Sequence, residues 1–477
     1  MRLYNTLTRT VEDFQPQTAG KATVYTCGPT VYDYPHIGNW FTYIREDILI
    51  RTLKISGNNP QWVMNITDVG HLVSDADDGE DKLEKGARRE GKTAWQIAEY
   101  YTAYFEAGMR KLNLSQPGQL TKATEHIVEQ IALIEQLEQK GYTYVITDGV
   151  YYDTGKFSRY GDFARLDLDE QQAGARVEVN PEKRNQTDFA LWKFSPSSHD
   201  NMGRTRDMEW DSPWGKGFPG WHIECSAMAM KYLGDTLDIH AGGIDHIPVH
   251  HTNEIAQSEA VTGKPFARFW FHANHILIDG DKIAKSAGNG ITLEDIEQAG
   301  FGPDALRLLV LESHYRTQSH FSWDTLAAAQ NRLESFYAMA VRRWQPAASD
   351  DEGLSSEDLE KYRLAVQAAL QNDLGTPQAL AEMSQLADAV DTRGISISSQ
   401  DPFVRLLDWL DEALGLQLSA QPDITQLQKE IITEREQARA GKDWLLSDNL
   451  REKLSKQYIG VRDTPNGTIW YRYLHRP

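Results

Sequence analysis

Through residues 1–325 the chain alternates short apolar runs with stretches of helical periodicity, and after that the alternation stops. Such alternation constrains the fold to a parallel α/β sheet, because each strand must be followed by a crossover helix. Val24-Tyr25 ends one strand, and Phe41, Ile44 and Ile48 then recur at helical spacing. Trp62-Val-Met-Asn-Ile66 is a second buried strand. The rhythm breaks from about residue 120 to 215 and returns with Leu237-Asp-Ile-His240, Trp270-Phe-His272 and Ile276-Leu-Ile278. Within the break, an amphipathic helix spans about 125–140. A hairpin follows, with Tyr144-Val-Ile146 and Val150-Tyr-Tyr152 around Thr147-Asp-Gly149. The expected architecture is a Rossmann-type parallel-sheet domain, 1–325, carrying an insertion at about 120–215. Ser322 is an N-cap, and Leu326, Leu333 and Phe336 share a helical face. Further amphipathic segments near 356–372, 377–393 and 403–415 predict a helical bundle over 326–420, with loops at 346–353 and 398–402. The last unit, 421–477, reads as one long helix over about 425–457. A strand-rich tail follows, turning at Pro465-Asn-Gly467.

A chain of 477 residues exceeds one typical domain, and 40% hydrophobic content supports sizeable cores. No signal sequence and no apolar run of membrane-spanning length is present, so a cytoplasmic protein without a membrane partner is expected. The net charge of −20 argues against a general nucleic-acid coat protein. The final unit differs: 421–477 holds ten Lys/Arg against eight Asp/Glu, about +2, and can touch phosphates or form an ordinary solvated helix.

There are only two cysteines. Cys27 opens a Cys-Gly-Pro turn after an apolar run, and Cys225 ends Gly220-Trp-His-Ile-Glu-Cys. Alone, each would read as a small buried hydrophobe. One helical segment later comes His250-His-Thr-Asn-Glu254, whose His250 and Glu254 project from one face at i and i+4. Two thiolates, an imidazole and a carboxylate make a four-ligand zinc set: Cys27, Cys225, His250 and Glu254. A zinc so held could also take a thiol substrate.

Three further stretches suit a nucleotide. In Pro35-His-Ile-Gly-Asn39, between strand and helix, Gly38 admits a phosphate and His36 and Asn39 can donate to its oxygens. In Asp281-Lys-Ile-Ala-Lys-Ser-Ala-Gly-Asn289, Lys282 and Lys285 can place two cations on developing pyrophosphate charge. Ala241-Gly-Gly-Ile-Asp245 offers a turn at Gly242 and Gly243 with Asp245 fit for ribose hydroxyls.

Together and in this order, these residues resemble the class I aminoacyl-tRNA synthetases, and within them the cysteinyl-tRNA synthetase family. Carrying the resemblance are Cys27-Gly-Pro-Thr-Val-Tyr-Asp33, the His-Ile-Gly-Asn signature and Gly220-Trp-His-Ile-Glu-Cys-Ser-Ala-Met228. So do Asp238-Ile-His-Ala-Gly-Gly-Ile-Asp245, His250-His-Thr-Asn-Glu254 and the Lys-Ile-Ala-Lys-Ser loop. Lys183-Arg-Asn185, His314-Tyr-Arg316 and Asn466-Gly-Thr-Ile-Trp470 extend it along nearly the whole chain. Asn39 stands where the family commonly has His, Ile283 and Ala284 replace Met and Ser, and Thr252 replaces a Glu. The segment after Asp68, running to Asp78, is longer and more acidic than the common form.

The resemblance implies a two-step reaction: activation of L-cysteine by ATP with Mg2+, then transfer to the terminal ribose of tRNA(Cys). Gly28, Thr67, Trp221 and His240 would line the cysteine pocket. His222 and His251 would orient ligands, and His246 and His272 have no assigned role. The 421–477 unit would bind the anticodon, with Arg462, Trp470 and Arg472 as contacts or as packing for its own small sheet. A site that demands a specific ligating group discriminates by about 10⁴–10⁵ without editing, so no editing domain is expected. A monomer is what the family suggests. Two other readings remain: a cysteine ligase with a non-tRNA amine acceptor, and an inactive zinc-containing nucleic-acid-binding paralogue.

Overall fold

The computed structural model describes residues 1–70, 82–165, 180–195, 206–278, 281–282, 290–345, 353–464 and 467–473. Five strands form a wholly parallel central sheet, in the order Ala267–Ala273, Leu237–Gly243, Lys21–Thr26, Asn59–Ile66, Gln119–Lys122. Covered on both faces, these strands carry apolar residues on both, among them Val24, Tyr25, Val63 and Met64. Strand order reverses between Lys21–Thr26 and Leu237–Gly243. In a doubly wound sheet, the crevice beyond the carboxyl ends at that reversal is where a ligand fits.

The helix Ile37–Ile55 crosses from the first strand to the second. His36 and Asn39 close a capping box at its start: Asn39 N donates to His36 Nδ1 at 3.3 Å, and His36 N donates to Asn39 Oδ1 at 3.1 Å. Trp40 stacks on Phe105 of the helix Ala94–Lys111, with centroids 5.4 Å apart. The expected hairpin is present as Thr143–Ile146 and Gly149–Tyr152. It continues through Phe189–Phe194 and Gly217–Pro219 into a four-stranded antiparallel sheet.

Helices Trp323–Ala340, Ser356–Gln371, Thr376–Arg393 and Gln400–Leu414 follow, the first capped by Ser322. Their apolar faces join the sheet's core in one continuous cluster. A buried charge cluster ties the parts together. Arg307 donates to Asp47 at 2.5 Å and to the Leu414 carbonyl at 2.8 Å, while Arg51 bonds Asp47 and the Asp411 carbonyl. The His314-Tyr-Arg316 stretch closes on one residue: His314 and Tyr315 bond Asp373, and Arg316 pairs with it at 2.8 Å.

Two sequence expectations change. The loop at 398–402 is instead a 3-10 turn, Ile397–Ser399, running straight into the helix Gln400–Leu414. The single helix over 425–457 is two, Gln426–Ala440 and Trp444–Ser455. Lys442 adopts a left-handed φ of 63°, Asp443 N reaches back to the Ala438 carbonyl, and Asp443 caps Leu446 N at 3.1 Å, so the periodicity restarts. Of the two readings of Trp470, packing holds: it sits with Val341, Ile431, Leu454 and Val461 in the tail's own core. The strands Ile459–Thr464 and Gly467–Arg472 pair up to Thr464↔Gly467. The turn residues Pro465 and Asn466, the segment 71–78 and most of the loop at 346–353 lie outside the described residues.

Candidate active site and metal centre

A cavity of about 510 Å³ opens at the carboxyl ends of the strands, at the reversal point. Cys27 follows Lys21–Thr26, Thr67 follows Asn59–Ile66, Gly243 ends Leu237–Gly243, and Ala273 ends Ala267–Ala273; all four line it. One end is walled by Cys27, Gly28, Thr67, Trp221, Cys225 and His250. His36, Gly38, Asn39, Gly243 and Asp245 also line it, next to His275. Thus residues expected to hold cysteine, metal and nucleotide share one cavity.

Gly28 is there because no side chain fits: a Cβ would lie 1.8 Å from the Asn65 carbonyl oxygen. Its N–H donates to Asn65 Oδ1 at 2.8 Å. Asn65 also holds Thr67, donating to its hydroxyl at 3.0 Å, and Thr67 in turn bonds Glu224. Asn65 and Glu224 thereby position Thr67, a role their sequence neighbourhood did not signal.

Cys27, Cys225, His250 and Glu254 are all buried, and their ligand atoms lie within 4.8 Å of one another. The helix that carries the last two begins with a π turn, Ile247–His251, before Thr252–Thr262. His250 Nε2 lies 2.9 Å from a Glu254 oxygen, as the i, i+4 spacing predicts. His222 meets His250 Nδ1 to Nδ1 at 3.0 Å and so orients it. The bond from Cys27, against burial, lowers Cys225 to about 7, while burial pushes Cys27 up. Burial opposes charge on Glu254, but His240 and His250 outweigh it and hold the carboxyl at about 2. Burial likewise opposes charge on His250, but Glu254 and Cys225 raise it to about 10. A buried set of two sulfurs, one imidazole and one carboxylate fits a dication with soft character.

His240 does not line the cavity. Its ring is fully buried, stacks on Trp270 and bonds Glu254 Oε2 at 2.7 Å; Glu254 does not line the cavity either, so both lie behind its wall. Gly242 does not line it either. A Cβ there would meet His246 at 2.5 Å and His251 at 3.0 Å, so this glycine makes room for two histidines. Asp245, expected to meet ribose hydroxyls, lies 3.1 Å from His275 Nε2. Lys282 sits on a short strand opposite Leu277, and Lys285 lies outside the described residues. His251 and His272 form the layer beneath the cavity, His246 lines it, and burial holds all three well below the usual histidine range. In the sequence they gave no pattern, because each comes from a different turn or strand.

Comparisons agree with this geometry. The model of the class I (C) tRNA synthetase catalytic domain matches residues 13–331. A cysteine–tRNA ligase of Treponema denticola is 43% identical over 500 positions, covering 98% of this chain and 99% of that protein. Cysteine–tRNA ligase 1 of Burkholderia lata is 45% identical, covering 98% and 96%. Among solved structures, methionyl-tRNA synthetase of Mycobacterium tuberculosis, in complex with methionyl-adenylate, superposes with a TM-score of 0.56 at 14% identity. It covers 84% of this chain and 92% of that one, a likeness of fold. The chain therefore belongs to the cysteine–tRNA ligase family of the class I tRNA synthetases.

Proposed function

We propose that the protein attaches cysteine to tRNA(Cys) at the expense of ATP, with its 1–325 part activating the amino acid, 326–420 forming a bundle and 421–477 holding the anticodon. The observation that carries this reading is one cavity with Cys27, Cys225, His250, Thr67 and Trp221 at one end and the capped His36–Asn39 turn also lining it. The cysteine carboxylate attacks the α-phosphorus of ATP, the bond to the β-phosphate oxygen breaks, and pyrophosphate leaves with Mg2+. The 2′-hydroxyl of the terminal ribose then attacks the adenylate carbonyl, and AMP departs. Little covalent work falls to side chains, so positioning and charge dominate.

His36 and Asn39 hold phosphate oxygens at the helix start, beside Gly38. Lys282 and Lys285 neutralise the pyrophosphate, and Gly243 and Asp245 face the nucleoside. Gly28, Thr67 and Trp221 form the walls around the amino acid. Cys27, Cys225, His250 and Glu254 would hold Zn2+, which favours a thiolate over the harder, more basic hydroxyl of serine. His240 and His222 fix the carboxylate and the imidazole of that set. Relatives of the tRNA-charging kind match along 96–99% of their own length, which supports tRNA over a small amine as acceptor. Among the described residues no helix is long and apolar enough to cross a membrane. A monomer working in the cytoplasm completes the reading.

ATP–pyrophosphate exchange, run with cysteine and with serine, tests the first step, and charging of tRNA(Cys) tests the second. Exchange and charging with cysteine alone are expected. Exchange without charging would transfer the reading to another acceptor, and absence of exchange in folded, zinc-loaded protein would overturn it.

A further inference from the structure

A second set of ligands interlocks with the first. Cys27, His240, His251 and Glu254 are also buried with their ligand atoms within 4.8 Å of one another. The two sets share Cys27 and Glu254. One adds Cys225 and His250, which line the cavity; the other adds His240 and His251, which do not.

The ligand atoms of the inner set converge on one point, and ligation would open the 2.7 Å His240–Glu254 hydrogen bond by about 0.6 Å. His251 Nε2 lies 3.3 Å from Cys27 Sγ and 3.9 Å from a Glu254 oxygen. His240 Nε2 lies 2.7 Å from the other Glu254 oxygen. Ligands around a tetrahedral first-row ion stand about 3.3–3.8 Å apart, given bonds of about 2.0–2.3 Å. Moreover, His251 carries the support that metal-binding histidines have. Its Nδ1 meets His272 Nε2 at 2.8 Å, and His272 Nδ1 meets the Thr6 hydroxyl at 2.8 Å. This chain of bonds fixes the ring with Nε2 turned toward Cys27. The π turn at Ile247–His251 brings both sequential histidines to the shared ligands, His250 from the cavity side and His251 from beneath. Gly242 leaves the space that His251 occupies.

We infer that the cage can seat its metal in either of two overlapping positions, and that the inner position takes a borderline first-row dication such as Co2+ through Cys27, His240, His251 and Glu254. With two thiolates the outer position favours softer ions such as Zn2+ and Cd2+; with one thiolate and two imidazoles the inner is the less soft of the two and suits a tetrahedral Co2+. Because Cys27 and Glu254 serve both, one ion excludes the other. An ion in the inner seat is held by His251, His240 and Glu254, none of which lines the cavity, and a thiol in the cavity meets only Cys27 of its ligands. The inner seat stands on its own geometry, whichever reaction the cavity serves.

Apo-protein titrated with Co2+ tests the inference. In C225S/H250Q, which removes the outer seat, about one equivalent of Co2+ should still bind with tetrahedral visible bands, and the thiolate-to-cobalt band should fall to about half of that given by two thiolates. Adding H251Q should abolish binding. A C225S/H250Q protein that keeps native circular dichroism and binds no Co2+, while the parent binds one equivalent, would overturn the inner seat and leave the outer one intact. If that variant does not fold, X-ray absorption on the cobalt-loaded parent decides. Fewer than two sulfurs per cobalt supports the inner seat, and a full two sulfurs per cobalt overturns it.

Discussion

Arg307 and Asp47 meet at 2.5 Å with both side chains fully buried, and this contact joins the sheet's first crossover helix to the helix Pro303–Leu311 that leads into the bundle. Burial would raise the Asp47 carboxyl, but Arg307 and Arg51 outweigh it and hold it at about 2. The ordinary value in an unfolded chain is about 3.9. A folded value below the unfolded one contributes stability above about pH 4, and that contribution is lost as pH falls toward about 2. Chemical denaturation from pH 5 to pH 2.5 should therefore show a steep loss of stability, shallower in D47N. At neutral pH D47N should lose about 3–5 kcal/mol, because two guanidinium groups are left without their carboxylate. Equal slopes for the two proteins would refute this account.

Gly28 permits no substitution. In G28A the new Cβ collides with strand backbone at Asn65, so the turn carrying Cys27 must move. Overpacking of this kind costs about 1–3 kcal/mol. Thermal melting should fall accordingly, and cysteine-dependent exchange should drop more than ATP binding does. Preserved exchange in G28A would show that the Cys27 turn tolerates displacement.

Asn39 does two things at once. It closes the capping box with His36 and faces the cavity. N39A should cost about 0.5–1.5 kcal/mol through the lost bond from the His36 N–H. It should also raise the KM for ATP while leaving the KM for cysteine near its parent value. N39D keeps an acceptor for the His36 N–H but brings a negative charge toward phosphate, so it should retain stability and still lose exchange. Equal behaviour of the two variants in exchange and in melting would separate Asn39 from phosphate binding.

In the tail, Arg435 is buried and forms a two-pronged pair with Asp463 at 2.7 and 2.8 Å. The bonds from Arg435 hold Asp463 at about 2. This pair pins the strand Ile459–Thr464 to the helix Gln426–Ala440, far in sequence from the cavity. D463N should loosen the tail, reducing tRNA charging while leaving ATP–pyrophosphate exchange near the parent rate. A parallel fall in both assays would mean that the tail supports the cavity itself.

Local patterns determined much of this protein. Apolar runs flanked by helical periodicity specify the strands Lys21–Thr26 and Asn59–Ile66 and the hairpin at Ile146–Gly149, because one face or both must be buried. The i, i+4 pair His250 and Glu254 was legible because one helix presents both. The two cysteines stood out by scarcity. What the tertiary structure alone decided is which side chains meet. His240, His251 and His272 come from two neighbouring strands and a helix, and no spacing in the chain announces that their rings touch. Nor does spacing reveal that Gly242 serves two histidines, that Trp470 is core, or that Lys442 ends one helix so that Asp443 can start another. Sequence periodicity records the burial of each element separately. Contacts between elements depend on the order and twist of the sheet, and only the folded chain brings Cys27 and Cys225 within reach of each other and of His250 and Glu254.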